Sequence, residues 1–229
     1  MKLVIFDCDG TLIDSQHNIT AAMAHAFSGH GLPSPPAHRV LSVVGLSLAE
    51  AFEVLAPTEP PELRRSLAER YRTAHSEGHL QRESEPLYPG VREAIAALSG
   101  RDDTLLGIAT GKSRRGVARL LEREGWHGTF LTIQTADDHP SKPHPSMILA
   151  ALAESGVSPE ATVMVGDTSF DMAMARSARV GALGVGWGYH RPDLLVAAGA
   201  HHVIDTGEEL IGAIERRLAE QASGCTEKT

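Results

Sequence analysis

The stretch Leu3-Val4-Ile5-Phe6-Asp7-Cys8-Asp9-Gly10-Thr11-Leu12 decides how this chain folds. Its four leading apolar residues predict a short buried strand. Asp7 and Asp9 follow where that strand ends, and carboxylates are costly in an apolar interior unless a cation pairs with them. Ligands bind at this edge of an open α/β sheet, and Gly10 lets the backbone pass close to a ligand. The stretch therefore predicts a functional site directly after the first strand.

Beyond position 88 the sequence alternates between short apolar runs and stretches with helical spacing. Strands alternating with helices are typical of a mostly parallel sheet with helices on both faces. We therefore predict an α/β fold, with a doubly wound, mostly parallel sheet as its Rossmann-like core. After the first strand, further strands are predicted at 105–110, 130–135, 162–165, 182–185 and 202–204.

Residues 14–87 lack this alternation. Apolar side chains recur there at helical spacing, as at Ile19, Met23 and Phe27, and prolines separate the helical stretches. We predict a helical cap domain at 14–87, inserted after strand 1, and an α/β catalytic core formed by 1–13 and 88–229. An insert at this position would lie over the active edge of the sheet and could act as a lid.

Composition narrows the class of protein. The chain has 229 residues, of which 42% are hydrophobic, so it can build a substantial core. A net charge of −8 and an aromatic content of 4% argue against nucleic-acid binding. Two cysteines, Cys8 and Cys225, suit a reducing cytoplasm, and no apolar window approaches the ~18 residues of a membrane span. We expect a cytoplasmic protein that binds no nucleic acid and no membrane; a monomer and a dimer both fit these patterns.

Three later stretches also place reactive side chains at a predicted strand end or in the loop just after it. Thr110 with Gly111 ends the second strand, Lys142 precedes Pro143, and Asp167 and Asp171 follow the strand at 162–165. Each has an ordinary explanation by itself, as a helix cap, a solvated cation or first-turn acids that complement a helix dipole. A hydroxyl and free backbone N–H groups at a helix start also suit phosphate oxygens.

Taken together, the order Asp pair, Thr, Lys, Asp pair resembles the four motifs of the haloacid dehalogenase superfamily. The insert after strand 1 and the run Leu-Tyr-Pro-Gly-Val at 87–91 are similar to its capped subgroup, which includes the phosphoglycolate phosphatases. The resemblance implies an Mg²⁺-dependent phosphatase that acts on a small phosphorylated metabolite. It implies that Asp7 forms an aspartyl-phosphate and that Asp9 serves as general acid and then as base. Neighbouring carboxylates are expected to favour the protonated form of Asp9.

The same resemblance implies roles for the remaining positions. Thr110 and the Gly111 amide would hold the transferring phosphoryl group, with Thr11 also in contact with substrate, and Lys142 would neutralise charge on Asp7 and the phosphate. The metal would bind to Asp167, the Asp7 carboxylate and the Asp9 backbone carbonyl, with Asp171 supporting it through water or from outside the ligand set. Within the cap, Gly45 marks the candidate loop for substrate specificity.

Two alternatives remain beside the phosphatase hypothesis, and a third, phosphonate cleavage, is disfavoured. A sugar-phosphate phosphomutase of the same superfamily would use the same core residues. A receiver-like phospho-acceptor without enzymatic activity also uses an acidic pair, a Thr and a Lys, but the insert and the second acidic pair argue against it. Phosphonate-cleaving relatives use a cap lysine, and 14–87 contains none. A divalent cation is expected in each phosphoryl-transfer case, because two like charges 4 Å apart cost about 4 kcal/mol at an effective dielectric of 20.

Overall fold

The computed structural model describes residues 1–76 and 85–226 and has a six-stranded parallel sheet at its centre. The sheet order is β3-β2-β1-β4-β5-β6, and every neighbouring pair is parallel. The predicted α/β, doubly wound fold is therefore confirmed. The strands are β1 (Lys2–Phe6), β2 (Thr104–Thr110), β3 (Thr132–Thr135), β4 (Thr162–Gly166), β5 (Gly181–Val185) and β6 (His202–Ile204).

Helices cover both faces of this sheet and also form the insert between β1 and β2. The apolar side chains of the strands alternate between two buried clusters, one containing Val4 and Phe6 and the other Leu3 and Ile5. The helices are α1 (Gln16–Ser28), α2 (Ala37–Leu41), α3 (Leu48–Leu55), α4 (Pro61–Ser76), α5 (Val91–Ser99), α6 (Arg114–Glu124), α7 (Ser146–Ser155), α8 (Ser169–Ser177), α9 (Pro192–Ala197) and α10 (Leu210–Thr226).

The strand order creates a switch point between β1 and β4, where the chain turns from building one half of the sheet to the other. In the register of these strands Phe6 is paired with Val165, so both strands end at the same level. Asp7 and Asp167 follow those ends on adjacent strands. The topology thus brings residues 160 positions apart in sequence to one edge of the sheet.

Helices α1 to α4 pack around an apolar cluster of their own, centred on Phe52, Phe27 and Leu67. Phe52 and Phe27 stack with ring centroids 6.0 Å apart. The chain leaves the sheet and returns to it through two paired segments. The amide of Asp14 donates to the Pro86 carbonyl at 2.9 Å, and the amide of Tyr88 donates to the Leu12 carbonyl at 3.0 Å.

Two smaller features concern membrane spans and the thiol of Cys8. In the described part of the chain, none of the helices has both the length and the apolar character required to cross a bilayer. The Cys8 side chain is fully buried in the cluster that contains Phe6. Burial and the neighbouring Asp7 and Asp9 charges raise the pKa of its thiol, so Cys8 remains a neutral packing residue.

Candidate active site

Asp7 and Lys142 meet at the carboxyl edge of the sheet, as the sequence pattern predicts. The Lys142 Nζ lies 3.1 Å from Asp7 Oδ2 and 2.6 Å from Asp171 Oδ1. The Lys142 side chain is completely buried, and Asp7 is 1% exposed. A buried ammonium between two carboxylates satisfies its charge only where both partners are held in place. Lys142 therefore joins two loops and the first turn of α8 into one ionic group.

The carboxylates of Asp7, Asp167 and Asp171 form a compact acidic cluster. One oxygen from each lies within 4.8 Å of the other two, and all three side chains are buried. The loop after β1 makes this approach possible at Gly10, which has φ +86°; a Cβ there would lie 2.2 Å from Asp167 Oδ2. Asp167 also accepts hydrogen bonds from the Thr11 hydroxyl at 2.8 Å and from the Tyr189 amide at 2.8 Å.

Asp171 has both a structural and an electrostatic function. Its Oδ2 accepts from the Thr168 amide at 3.0 Å, while Thr168 Oγ1 accepts from the Asp171 amide, which together complete a capping box at the start of α8. Its Oδ1 accepts from Lys142. The sequence-based explanation as a first-turn acid is thus correct, and the lysine contact adds to it. Its expected place outside the metal ligand set stays a prediction, since its carboxylate lies in the same cluster as Asp7.

The pKa of Asp7 is raised from its usual 3.8 to about 6, because burial together with the Asp171 and Asp9 charges outweighs the lowering by Lys142 and by a hydrogen bond from Thr110. Burial and the charges of Asp171 and Asp7 likewise raise the pKa of Asp167 well above its usual range. Three carboxylates and one ammonium leave a formal charge of −2 when all are ionised. Oxygen donors with this charge fit a hard divalent cation such as Mg²⁺.

Asp9 faces a different environment from the acidic cluster. Its Oδ1 accepts from the Ser15 hydroxyl at 2.6 Å and from the Lys112 Nζ at 2.7 Å. The expectation that carboxylates dominate its surroundings thus omitted a cation in direct contact. Burial lowers the pKa of Lys112, but the Asp9 and Glu85 charges more than offset this, so the net shift is upward.

Lys112 and Ser15 are the site residues that sequence reasoning missed. Lys112 directly follows Thr110-Gly111, so its position beside that motif was an available signal. Ser15 stands at the cap position of α1, where a serine is an ordinary helix cap, but its side chain makes no cap hydrogen bond. Its hydroxyl instead donates to Asp9, a contact that nothing in the local pattern indicates.

Thr110 does not cap α6, because Ser113 is the residue that caps this helix. Ser113 Oγ accepts from the Gly116 amide at 3.2 Å at the start of α6. Thr110 is fully buried, donates to Asp7, and accepts from the Lys112 amide at 3.2 Å. The Thr110 hydroxyl and the loop at Gly111 are therefore next to the Asp7 carboxylate, where the sequence pattern expects them.

The loop at 42–47 contacts the loops that follow four different strands. A Cβ on Gly111 would lie only 2.9 Å from the Gly45 carbonyl oxygen, and the Ser47 amide donates to Ser141 Oγ at 2.8 Å. The His190 ring donates from Nε2 to the Ser42 carbonyl at 3.2 Å, because its Nδ1 accepts from the Ser169 amide. Gly45 thus lies at the contact between the insert and the core.

A cavity of about 610 Å³ lies between the helical insert and the sheet edge. Asp7, Asp9, Thr110 and Gly111 line its floor, and residues of α1, α2, α3 and α4 line the opposite wall. Its volume is within the ~300–1,000 Å³ that is usual for small-molecule sites. The arrangement brings the Asp7 and Asp9 carboxylates, the Thr110 hydroxyl and the Lys112 ammonium to any ligand in this cavity.

Comparisons with known proteins agree with this geometry. The sequence profile of the haloacid dehalogenase-like hydrolases matches residues 4–185. The chain is 36% identical to the probable phosphatase IndB of Dickeya dadantii, with 94% of each chain covered. It is 34% identical to a phosphoglycolate phosphatase of Agrobacterium fabrum, over 82% of this chain and 81% of that one. A solved haloacid dehalogenase-like hydrolase from Streptococcus pneumoniae superposes with a TM-score of 0.81 at 25% identity, covering 93% of this chain and 98% of that chain.

Proposed function

Since this chain belongs to the haloacid dehalogenase-like hydrolase family and its relatives identify it as a phosphatase, we propose that it hydrolyses its substrate with Mg²⁺ and through an aspartyl-phosphate on Asp7. Its substrate is a small phosphomonoester. The observation that carries the proposal is the position of Lys142, whose Nζ lies 3.1 Å from Asp7 in a fully buried pair beneath the cavity. A nucleophilic carboxylate needs such a cation when a phosphate dianion approaches it.

In the first step an Asp7 oxygen attacks phosphorus and the ester oxygen leaves. Lys142 reduces the repulsion between Asp7 and the phosphate, and the Thr110 hydroxyl together with the Gly111 amide holds the transferring group. Asp9 gives its proton to the leaving oxygen. Splitting the reaction through a carboxylate intermediate replaces one difficult displacement with two easier ones.

In the second step water attacks the phosphorus of the aspartyl-phosphate and Asp9 takes the proton from that water, while the bond between the Asp7 oxygen and phosphorus breaks and phosphate leaves. Ser15 and Lys112 hold the Asp9 carboxylate from two sides. Asp7, Asp167 and the Asp9 backbone carbonyl would hold Mg²⁺, and Asp171 would keep Lys142 in position. When bound, Mg²⁺ supplies charge neutralisation for the phosphoryl oxygens.

We also propose that 14–87 acts as a cap domain on a core formed by 1–13 and 88–229. Its support is the separate apolar cluster of α1 to α4 and the pairing of the two connecting segments at Ile13 and Leu87. Closure of this cap would exclude water from the first step. A small phosphorylated metabolite in the cytoplasm is the partner that this proposal requires.

A panel of phosphomonoesters tests the proposed function. Phosphate release is expected from some members with Mg²⁺ present, and EDTA should lower the rate by at least about a hundredfold, since the metal offsets several kcal/mol of repulsion. Free phosphate should appear in step with loss of ester. Hydrolysis that persists unchanged in EDTA would contradict the metal requirement, and transfer of labelled phosphate back to a sugar would instead identify a mutase.

Replacing Lys112 with Met tests how Asp9 is positioned. We expect kcat/KM to fall roughly tenfold to a hundredfold, with the limb of the pH–rate profile that reports Asp9 moving to higher pH, because the carboxylate loses its cation. Lys112→Arg keeps the charge and should restore much of the profile. A lower rate with an unmoved profile would show that Lys112 only supports the fold.

A further inference from the structure

The wall that the insert presents to the cavity is predominantly aliphatic. Its side chains come from α1, α2, α3 and the loop after α2. The six that define the wall are Ile19, Met23, Val40, Val43, Val44 and Leu48. Water against such a wall is poorly hydrogen-bonded, so an apolar ligand group that displaces it gains free energy. The cavity therefore favours a leaving group with an apolar body.

Neutral polar side chains are scarce on the same wall. Among the described residues of the insert, only Ser47 and Tyr71 bring a hydroxyl to the cavity. Ser47 already accepts from the Glu50 amide at the start of α3, and burial raises the pKa of Tyr71, which remains neutral. A sugar carries several hydroxyl groups that each need a partner once buried. The wall is therefore a poor match for a sugar phosphate.

Cationic side chains stand at the mouth of the cavity. Arg115 on α6 and Arg72 on α4 both line it, and within 1–76 and 85–226 neither forms an ion pair. Besides Asp7 and Asp9, two acids line the same cavity, and each has a partner: Glu85 accepts from the Asn18 side-chain amide at 3.1 Å and lies 3.7 Å from Arg123, and Asp137 accepts from the Arg114 amide at 2.8 Å. Two arginines with no ion pair among the described residues attract an anionic group on the ligand.

The volume of the cavity also favours a ligand with a larger leaving group. A cavity of about 610 Å³ has room for roughly twenty water molecules at ~30 Å³ each. Phosphoglycolate is much smaller than this volume and would leave most of the aliphatic wall in contact with water. Pyrophosphate would leave the wall equally bare.

We propose that the preferred substrate is an amphipathic phosphomonoester, whose leaving group joins an aromatic or alkyl body to a second anionic group. The body packs on the wall around Val43 and Val44, and the anion binds Arg115 and Arg72. This inference rests on the proposed phosphatase function and narrows its substrate class.

The test uses the phosphate ester of hydroxyphenylpropanoate and that of the corresponding primary amide. The side chain insulates the phenol from the terminal group, so the two esters have closely similar leaving groups and differ in one negative charge. We expect kcat/KM for the acid to exceed that for the amide about tenfold, the factor for one charge-assisted hydrogen bond. It should also exceed the values for phosphoglycolate and glucose phosphate.

Variants test which residues cause the preference for the acid over the amide. The double variant Arg72→Met and Arg115→Met should bring the acid-to-amide ratio close to one. Arg114→Met is the matched control, because Arg114 is adjacent in α6 but pairs with Asp138, and it should keep the ratio. Val44→Thr adds a hydroxyl to the wall at nearly constant volume and should lower the ratio of aryl ester to phosphoglycolate.

Equal kcat/KM for acid and amide would overturn the inference, as would a preference that survives the double variant. A best rate on phosphoglycolate or glucose phosphate would also overturn it while leaving the phosphatase function intact. Calorimetric binding to Asp7→Asn separates the two proposals. If no ester is hydrolysed, tighter binding of the acid than of the amide upholds this inference and contradicts the proposed function; equal binding contradicts both.

Discussion

Asp7→Asn is expected to lower kcat by about ten-thousand-fold or more, because the amide oxygen is a poor nucleophile and cannot form the phosphoenzyme. Asn is nearly isosteric, so the cavity should survive. Rapid quench with labelled substrate should detect phosphoenzyme in the native protein and none in the variant. Hydrolysis near the native rate would contradict the role proposed for Asp7.

A matched control exists at the opposite edge of the sheet. Asp103 precedes β2 and pairs with Lys2 at 2.7 Å in an exposed ion pair. Asp103→Asn makes the same chemical change far from the cavity, and exposed pairs contribute little to stability. It should retain native turnover and phosphoenzyme formation. The loss of activity in Asp7→Asn would then be due to the location of Asp7 in the cavity and not to the chemical change itself.

Lys142→Met is expected to reduce activity about a thousandfold and to lower the free energy of unfolding by about 3–5 kcal/mol. The reason is that the substitution leaves the buried carboxylates without their cation. Burial lowers the pKa of Lys142, but Asp171 and Asp7 shift it upward overall, so the native side chain is charged. Urea unfolding without metal measures the stability, and Lys2→Met is the exposed control. An unchanged unfolding midpoint would contradict the buried network.

The stability loss in Lys142→Met should depend on pH. Lys142 lowers the pKa of Asp7, which burial has raised from 3.8 to about 6, so its removal raises that pKa further. A carboxyl with a raised pKa in the folded state contributes stability below its unfolded pKa, and this is lost as pH rises through the folded value. The deficit should therefore be larger at pH 7.5 than at pH 5. A deficit that grows toward low pH would contradict this assignment.

The sequence predicts the sheet and the positions of Asp7, Thr110, Lys142 and Asp167 at its edge, because apolar runs and strand ends are local signals. The partners of Asp9 were not predicted. Ser15 and Lys112 reach it from different segments, and only the folded chain brings these together. Helix capping shows the same limit: Ser113 and Ser15 both stand before a helix, yet only Ser113 caps one through its side chain.

The charge around Asp9 could likewise not be predicted from the local sequence. A sequence pattern identifies the acids of a motif but not which of them receives a cation. Lys142 contacts Asp7 and Asp171, whereas Lys112 contacts Asp9. Which carboxylate each lysine contacts is thus determined by the path of the loop that carries the lysine.

The paired segments at Leu12 to Asp14 and Pro86 to Tyr88 enter and leave the helical insert side by side. Both splice points are joined by main-chain hydrogen bonds, which any residue except proline can donate. A transplanted insert from a relative could therefore be grafted between Asp14 and Pro86 without altering a single strand pairing. Under the proposed function, a chimaera joined at these two residues is expected to carry the aliphatic wall and Arg72 to a new core, whereas Arg115 stays behind on α6.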